Sequence, residues 1–247
     1  CGSGAFPMGI LQKLVHILHK LDPKNELWKQ RQIEKAEQID DADSREAAIE
    51  TIEEAFENNE LDYGRKLYLI ENCIYGVDLQ PVAVQISKLR FFISLIVDQK
   101  TTSNKENLGV RPLPNLETKF VAANTLIGIE KPKESTGDLF NVNKEKIDLK
   151  KEQLRKIRHS YFEARTPKKK EQCREKDKQI REDLTKLLSV ENMPKTTAEL
   201  LASWNPYDQN ASSSFFDMEW MFGINEGFDI VIGNPPYVEI SGISIED

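Results

Sequence analysis

Leu11, Leu14, Val15, Leu18 and Leu21 recur at three- and four-residue spacing, which predicts a helix close behind the first residues of the chain. A second helical pattern places Val82, Ile86, Leu89, Phe92, Ile93 and Ile96 on one apolar face. Three short runs have a different character. Residues 74–78, 120–123 and 229–232 are apolar, rich in β-branched or aromatic side chains, and end at polar or turn-forming residues. They read as strands, the last of them buried. Each gap between them is longer than one crossover helix requires, so the pattern predicts parallel strands with helical insertions.

The insertions differ in charge. Residues 34–62 are strongly acidic, with Ala48, Ile49, Ile52 and Phe56 as an apolar helical stripe. Residues 144–186 are strongly basic. There Ile147, Leu154, Ile157 and Tyr161 line one helix, Thr166-Pro167 breaks it, and Ile180, Leu184 and Leu187 line another. This predicts an antiparallel helical hairpin. Its Lys168, Lys169 and Lys170 could lie along nucleic-acid phosphates. Acidic side chains are interspersed among the basic ones, so a solvated insertion is the stronger reading.

Composition narrows the class. A chain of 247 residues allows one or two domains. No run is long and apolar enough to span a membrane, and no secretory signal is present, so a cytoplasmic protein with no membrane partner is expected. Cys1, Cys73 and Cys173 lie far apart without metal spacing and read as reduced thiols. His16, His19 and His159 form no ligand pattern, so no metal is expected. No Ser-His-Asp set can be argued. The net charge of −7 is unusual for a nucleic-acid enzyme, although the basic and acidic stretches are separated along the chain.

The sharpest chemical signal follows the third strand. Gly233-Asn234-Pro235-Pro236-Tyr237 halts it with two prolines, which fix φ twice and remove two backbone donors. What remains is acceptor-rich: the Asn234 side-chain oxygen and the backbone carbonyls. Tyr237 adds a flat face. Such a corner suits a planar group bearing an NH₂. Stacking of a base on an aromatic ring is worth roughly 1–3 kcal/mol. The plain alternative is a turn that only ends a strand.

The run Phe228-Asp229-Ile230-Val231-Ile232-Gly233-Asn234-Pro235-Pro236-Tyr237 resembles the catalytic motif of S-adenosylmethionine-dependent amino-methyltransferases, above all DNA adenine-N6 methyltransferases. The resemblance implies that Asn234 and the Pro235 carbonyl accept hydrogen bonds from an adenine amine. It places Pro236 in the same rigid turn and Tyr237 against the flipped base. Cys1-Gly2-Ser3-Gly4-Ala5-Phe6 resembles the end of that family's cofactor loop, with Gly2, Gly4 and Phe6 as cofactor-binding positions. The acidic residue and strand that precede this loop in the family lie outside the sequence. The stretch from Tyr75 to Arg90 is similar to the family's second motif, which gives Asp78 the ribose hydroxyls; a helix cap is the alternative role. Asn124, closing the second strand, matches a position that contacts the cofactor's adenine, with a satisfied loop residue as the alternative. The stretch before the final motif, from Phe215 to Gly223, is also similar to large type II restriction–modification methyltransferases.

The resemblance implies an α/β, Rossmann-like methyltransferase fold: a doubly wound, mostly parallel sheet, truncated at both ends and carrying helical insertions. The expected parts are a cofactor-loop remnant (1–22), an acidic helical insertion (32–72), core strands and helix (73–130), a basic hairpin insertion (141–190), and a catalytic strand and turn (204–240). The expected cofactor is S-adenosyl-L-methionine. The expected partner is double-stranded DNA through the complete enzyme, with self-association of the chain through exposed sheet edges. Two alternatives stand beside a DNA methyltransferase: a protein-glutamine or RNA amino-methyltransferase with the same turn, and a non-catalytic piece of a restriction–modification protein.

Overall fold

In the computed structural model the described residues are 1–37, 61–99, 101, 103, 106–110, 112–129, 142–190 and 194–234, with 42, 45, 46, 49, 52 and 53 between the first two stretches. Two short strands, β1 (Gly76–Asp78) and β2 (Phe120–Ala122), pair in parallel, with Gly76 opposite Phe120 and Asp78 opposite Ala122. Alternation along β2 divides the core. Phe120 faces a layer built from α1 (Ala5–Leu21), α3 (Leu61–Asn72) and α4 (Pro81–Val97), where Leu11, Ile70, Phe91 and Leu95 are fully buried. Val121 faces the other layer, where Leu154, Leu184, Leu201 and Met221 are buried. The remaining helix of the first stretch, α2 (Glu26–Glu37), starts where both Asp22 carboxylate oxygens accept from backbone N–H groups of Glu26 and Trp28.

The second layer contains the predicted hairpin, α5 (Val142–Glu163) and α6 (Pro167–Val190), followed by α7 (Lys195–Ser203) and α8 (Met218–Phe222). Ile147, Leu154 and Tyr161 are buried on α5 and Leu184 on α6, so the apolar stripes face inward as the spacing requires. The turn between the helices uses Thr166, whose Oγ1 accepts from the Lys169 N–H, with Pro167 at the first helical position. The outer face of the hairpin is solvated, with Lys168 and Lys169 exposed, but part of its charge points inward. Asp177 on α6 is completely buried between Arg158 and Arg181, both nearly buried themselves. Arg158 also donates to the carbonyls of Trp220 (2.6 Å) and Met221 (3.1 Å), and Arg181 donates to that of Trp204. These charges point inward, where they hold carbonyls at the C-terminal ends of α7 and α8. Asn115 does the same at the far end of α5: its amide donates to the Tyr161 and Ala164 carbonyls, both at 2.7 Å.

Three further expectations need correction or restriction. On α4 the buried residues are Val84, Ser87, Lys88, Phe91 and Leu95, whereas Val82, Ile86, Leu89, Ile93 and Ile96 are exposed. The helix is apolar on both sides, so periodicity alone could not choose. Packing against the Phe120 ring, 4.7 Å from Phe91, decides it. The third strand does not form among the described residues: residues 229–232 pair with no strand there, and Ile230 and Val231 are about four-fifths exposed (77% and 82%). Its β-branched composition favours a pleated, half-buried surface, but a strand exists only beside another strand. Of the apolar stripe on the acidic stretch, Ala48 and Phe56 lie outside the described residues, and Ile49 and Ile52 are half-buried on helical backbone. At the end of that stretch α3 buries Tyr63, Leu69 and Ile70 in the core. Among the described residues no helix is long and apolar enough to cross a membrane.

Candidate functional site at the carboxyl ends of the parallel strands

Asp78 is the last residue of β1, and its carboxylate gathers backbone donors from two directions. Oδ2 accepts from the Gly2 N–H at 2.6 Å and from the Cys1 amino nitrogen at 3.2 Å; Oδ1 accepts from the Gln80 N–H at 3.0 Å. Partial burial pushes the carboxyl pKa up, but the hydrogen bonds from Gln80 and Gly2 and the amino group at Cys1 together outweigh it, and the net shift is downward. The glycine loop and the acidic strand end, 76 positions apart, are therefore one unit. A carboxylate offers about four lone-pair sites. Three are occupied here, which leaves capacity for a ligand hydroxyl.

Glycine is required in this loop for stated reasons. Gly2 and Gly4 have positive φ of 56° and 91°. A Cβ on Gly4 would lie 3.0 Å from the Ser87 Cα on α4. Ser87, fully buried, donates from Oγ to the Gly2 carbonyl at 3.1 Å. The loop is thus clamped between the strand-end carboxylate and a helix hydroxyl. Phe6 follows in the first turn of α1 and is 46% exposed. Gly76 has a different task. A Cβ there would meet the Phe120 ring at 2.4 Å, so the bare backbone lets that ring lie across β1.

Asn124 follows β2. Its Oδ1 accepts from the Leu126 N–H at 3.1 Å, and its own N–H donates to the Ser213 carbonyl at 3.0 Å. It shapes the turn that leaves the sheet. Ser213 closes a parallel bridge with Ala123, and Ser212 Oγ donates to the Leu79 carbonyl at 2.8 Å. Loop 211–213 is thereby stitched to both strand ends.

The segment carrying the candidate catalytic turn begins at the other end of β1. The rings of Tyr75, Phe222 and Phe228 cluster, with centroids 4.9 Å (Tyr75–Phe222) and 5.8 Å (Tyr75–Phe228) apart. Lys119 Nζ donates to the Tyr75 hydroxyl at 3.2 Å and sits over its ring. Burial pulls the Lys119 pKa down to about 8, opposed by Glu71 and Cys73. Burial also raises the Cys73 thiol, with Lys119 opposing and Asp229 reinforcing, so Asp229 lies within electrostatic reach of this cluster. From there the chain runs exposed to Asn234; Pro235, Pro236 and Tyr237 lie outside the described residues. The structure therefore joins Gly2, Gly4 and Asp78, and sets Asn124 on the neighbouring strand end. Asn234 stands at the exposed end of a separate segment.

Sequence reasoning missed Ser87, Tyr75 and Lys119. Ser87 had one available signal: a small polar residue in register with Val84 and Phe91 on the face opposite the obvious apolar stripe. His159 likewise proved to be placed: its Nδ1 lies 3.0 Å from Glu71 Oε1, and Glu163 completes a group whose ligand atoms lie within 4.8 Å of one another. The Glu71 carboxylate accepts from His159 and raises its pKa, and the contact ties α5 to α3.

An acidic strand end holding a glycine loop, beside a second parallel strand end, is the arrangement of an α/β protein that binds its ligand at the carboxyl edge of the sheet. The chain belongs to the Eco57I restriction-modification methylase family, which it matches over residues 72–246. It is also similar to a protein of Methanocaldococcus jannaschii provisionally named a type II restriction enzyme and methyltransferase, RM.MjaORFECS2P. The two are 25% identical over 224 residues, covering 71% of this chain and 19% of the relative. The chain thus spans about a fifth of that relative's length. No solved structure matches it.

Proposed function

We propose that this chain carries part of the active site of an S-adenosylmethionine-dependent DNA methyltransferase that modifies the N6 amine of adenine. The observation that supports this reading best is the contact between Gly2 and Asp78. It brings two motifs expected to serve one cofactor to one point at the carboxyl edge of the sheet. Membership of a restriction–modification methylase family supports DNA as the substrate class. The Rossmann-like, doubly wound sheet is part of the same proposal, with β1 and β2 as two of its strands.

S-adenosylmethionine supplies the electrophilic methyl group when bound. Asp78 has capacity for a ribose hydroxyl, and Asn124 stands at the adjoining strand end, where the cofactor's adenine is proposed to lie. Gly2 and Gly4 permit close backbone approach, and Phe6 offers an exposed apolar face beside them. Asn234 and the Pro235 carbonyl accept from the substrate amine and hold its lone pair out of conjugation with the ring. Pro236 stiffens the turn, and Tyr237 stacks on the base flipped from the duplex. Transfer is direct; no covalent enzyme intermediate is needed.

The test uses the complete enzyme with labelled cofactor and three acceptors: DNA, RNA and protein. Labelling of DNA at adenine N6, lost in Asn234→Ala while cofactor binding persists, is the expected result. Label in protein glutamine or RNA, or full DNA methylation by the Asn234→Ala enzyme, rejects it.

A further inference from the structure

Ser87 stands on α4, within the stretch that resembles the family's second motif but without a role assigned there, and it touches the glycine loop in two ways. Its Oγ–H donates to the Gly2 carbonyl at 3.1 Å, while the Gly2 N–H donates to Asp78 at 2.6 Å. Both backbone groups of one residue are thus held by side chains from two different elements. The second contact is steric: the position a Gly4 Cβ would take is 3.0 Å from Ser87 Cα and 3.1 Å from Oγ. Cys1 Sγ, at 3.7 Å from the same hydroxyl, closes the group. Ser87 has no solvent exposure. A fully buried hydroxyl must find a partner, and this one finds the loop.

We propose that Ser87 is the positioning residue of the cofactor loop, a role that rests on the reading of Gly2, Gly4 and Asp78 as a cofactor site. The Gly2 N–H and the Gly2 carbonyl belong to the two successive peptide units that meet at its Cα, and each could otherwise rotate about the bonds to that Cα. Asp78 ties the first and Ser87 the second, so together they fix φ and ψ at Gly2. Gly4, lying directly on Ser87, sets how closely α4 approaches. Loss of the hydroxyl leaves the Gly2 carbonyl without its donor, and ordering that side of the loop then falls to the incoming cofactor. Affinity drops, while the reacting atoms, once bound, are unaffected.

The experiment compares Ser87→Ala, Ser87→Thr and Asp78→Ala in the complete enzyme, measuring KM for S-adenosylmethionine, KM for DNA, kcat and the melting midpoint. One neutral hydrogen bond corresponds to roughly a fivefold change. Ser87→Ala is expected to raise the cofactor KM about fivefold, with kcat and the DNA KM within about twofold. Ser87→Thr, which keeps the hydroxyl, is expected to recover most of that loss. An unchanged cofactor KM in Ser87→Ala, with only a lowered melting midpoint, overturns the proposal, as does an equal loss in the alanine and threonine variants. Asp78→Ala separates the two levels. If it leaves cofactor KM unchanged, the cofactor reading of the site fails; if it alone raises KM, only the role of Ser87 fails.

Discussion

The Asp177 carboxylate accepts from Arg158 Nε at 2.9 Å across the two helices of the basic hairpin, and it does so with no solvent exposure. Arg181 Nε takes its other oxygen at 2.6 Å. The two guanidinium groups then reach the carbonyls of Trp204, Trp220 and Met221. A stretch whose composition suggests nucleic-acid phosphates thus spends its inner arginines on the backbone that leads toward Asn234.

Removing the shared anion should therefore be costly. Asp177→Ala leaves two guanidinium groups buried without a counter-charge, a change worth about 3–5 kcal/mol. Asp183, 46% exposed and paired with Lys150 at 2.7 Å on the same hairpin, is the contrast. Its replacement by alanine should cost no more than about 1 kcal/mol. Urea unfolding of the two variants measures the difference. Equal midpoints would show that the buried triad contributes no more than a surface pair.

The two sides of α4 give a second test. Phe91 is fully buried against the Phe120 ring, and Leu89 is 57% exposed. Phe91→Ala should lose about 3–5 kcal/mol through cavity formation and lost transfer energy. Leu89→Gln should change stability by roughly 0.5 kcal/mol or less. If Leu89→Gln proves the more damaging, the apolar stripe predicted from periodicity is the buried one after all.

Gly76 and Phe120 form a coupled pair in neighbouring strands. A Gly76→Ala Cβ would fall 2.4 Å from the Phe120 ring, well inside van der Waals contact, and the ring is held by Phe91. Overpacking of this kind costs about 1–3 kcal/mol. Phe120→Leu in the same chain should relieve part of that cost. The double variant is then more stable than the sum of the single changes predicts. Strict additivity in chemical denaturation would contradict the contact.

These pairs also show where the sequence was readable. The hairpin was legible because Ile147, Leu154, Tyr161 and Leu184 keep helical spacing and Thr166-Pro167 marks the turn. Strand ends at Asp78 and Asn124 were legible because short apolar runs stop at polar residues. The inward face of α4 was not, since both of its faces are apolar and only the tertiary neighbour decides. The role of Arg158, Asp177 and Arg181 was hidden for a related reason. Charge patterns are read as solvated by default, and nothing local reveals that a carbonyl 62 residues away needs a donor. Residues 229–232 have strand composition without a strand, because pairing depends on a neighbour rather than on propensity. For the candidate site, Gly2, Gly4 and Asp78 were expected together and meet, while Ser87 left only the faint signal of its register with Val84 and Phe91, because its partner is a backbone carbonyl.

The last prediction concerns pH. Lys119 is largely buried beside Tyr75, with Glu71, Cys73, Arg155, His159 and Asp229 among the ionisable groups around this cluster, and burial lowers its pKa to about 8. An unfolded lysine titrates near 10.4. Below pH 8 both states hold the proton, and the fold carries the full cost of a buried ammonium. Between about 8 and 10.4 the native chain has released it while the unfolded chain still binds it. The unfolded state then holds more protons, so this residue's contribution to stability rises with pH across that window. Cys73 and Tyr75, whose pKa values are raised by burial, act in the opposite sense there. The lysine term is therefore isolated by comparison with Lys119→Met, which keeps the apolar stem and removes the charge. Wild type minus variant, from urea midpoints at pH 7 to 10, should climb toward the alkaline end. A flat difference would mean that Lys119 keeps an ordinary pKa and that the ammonium over the Tyr75 ring is well solvated.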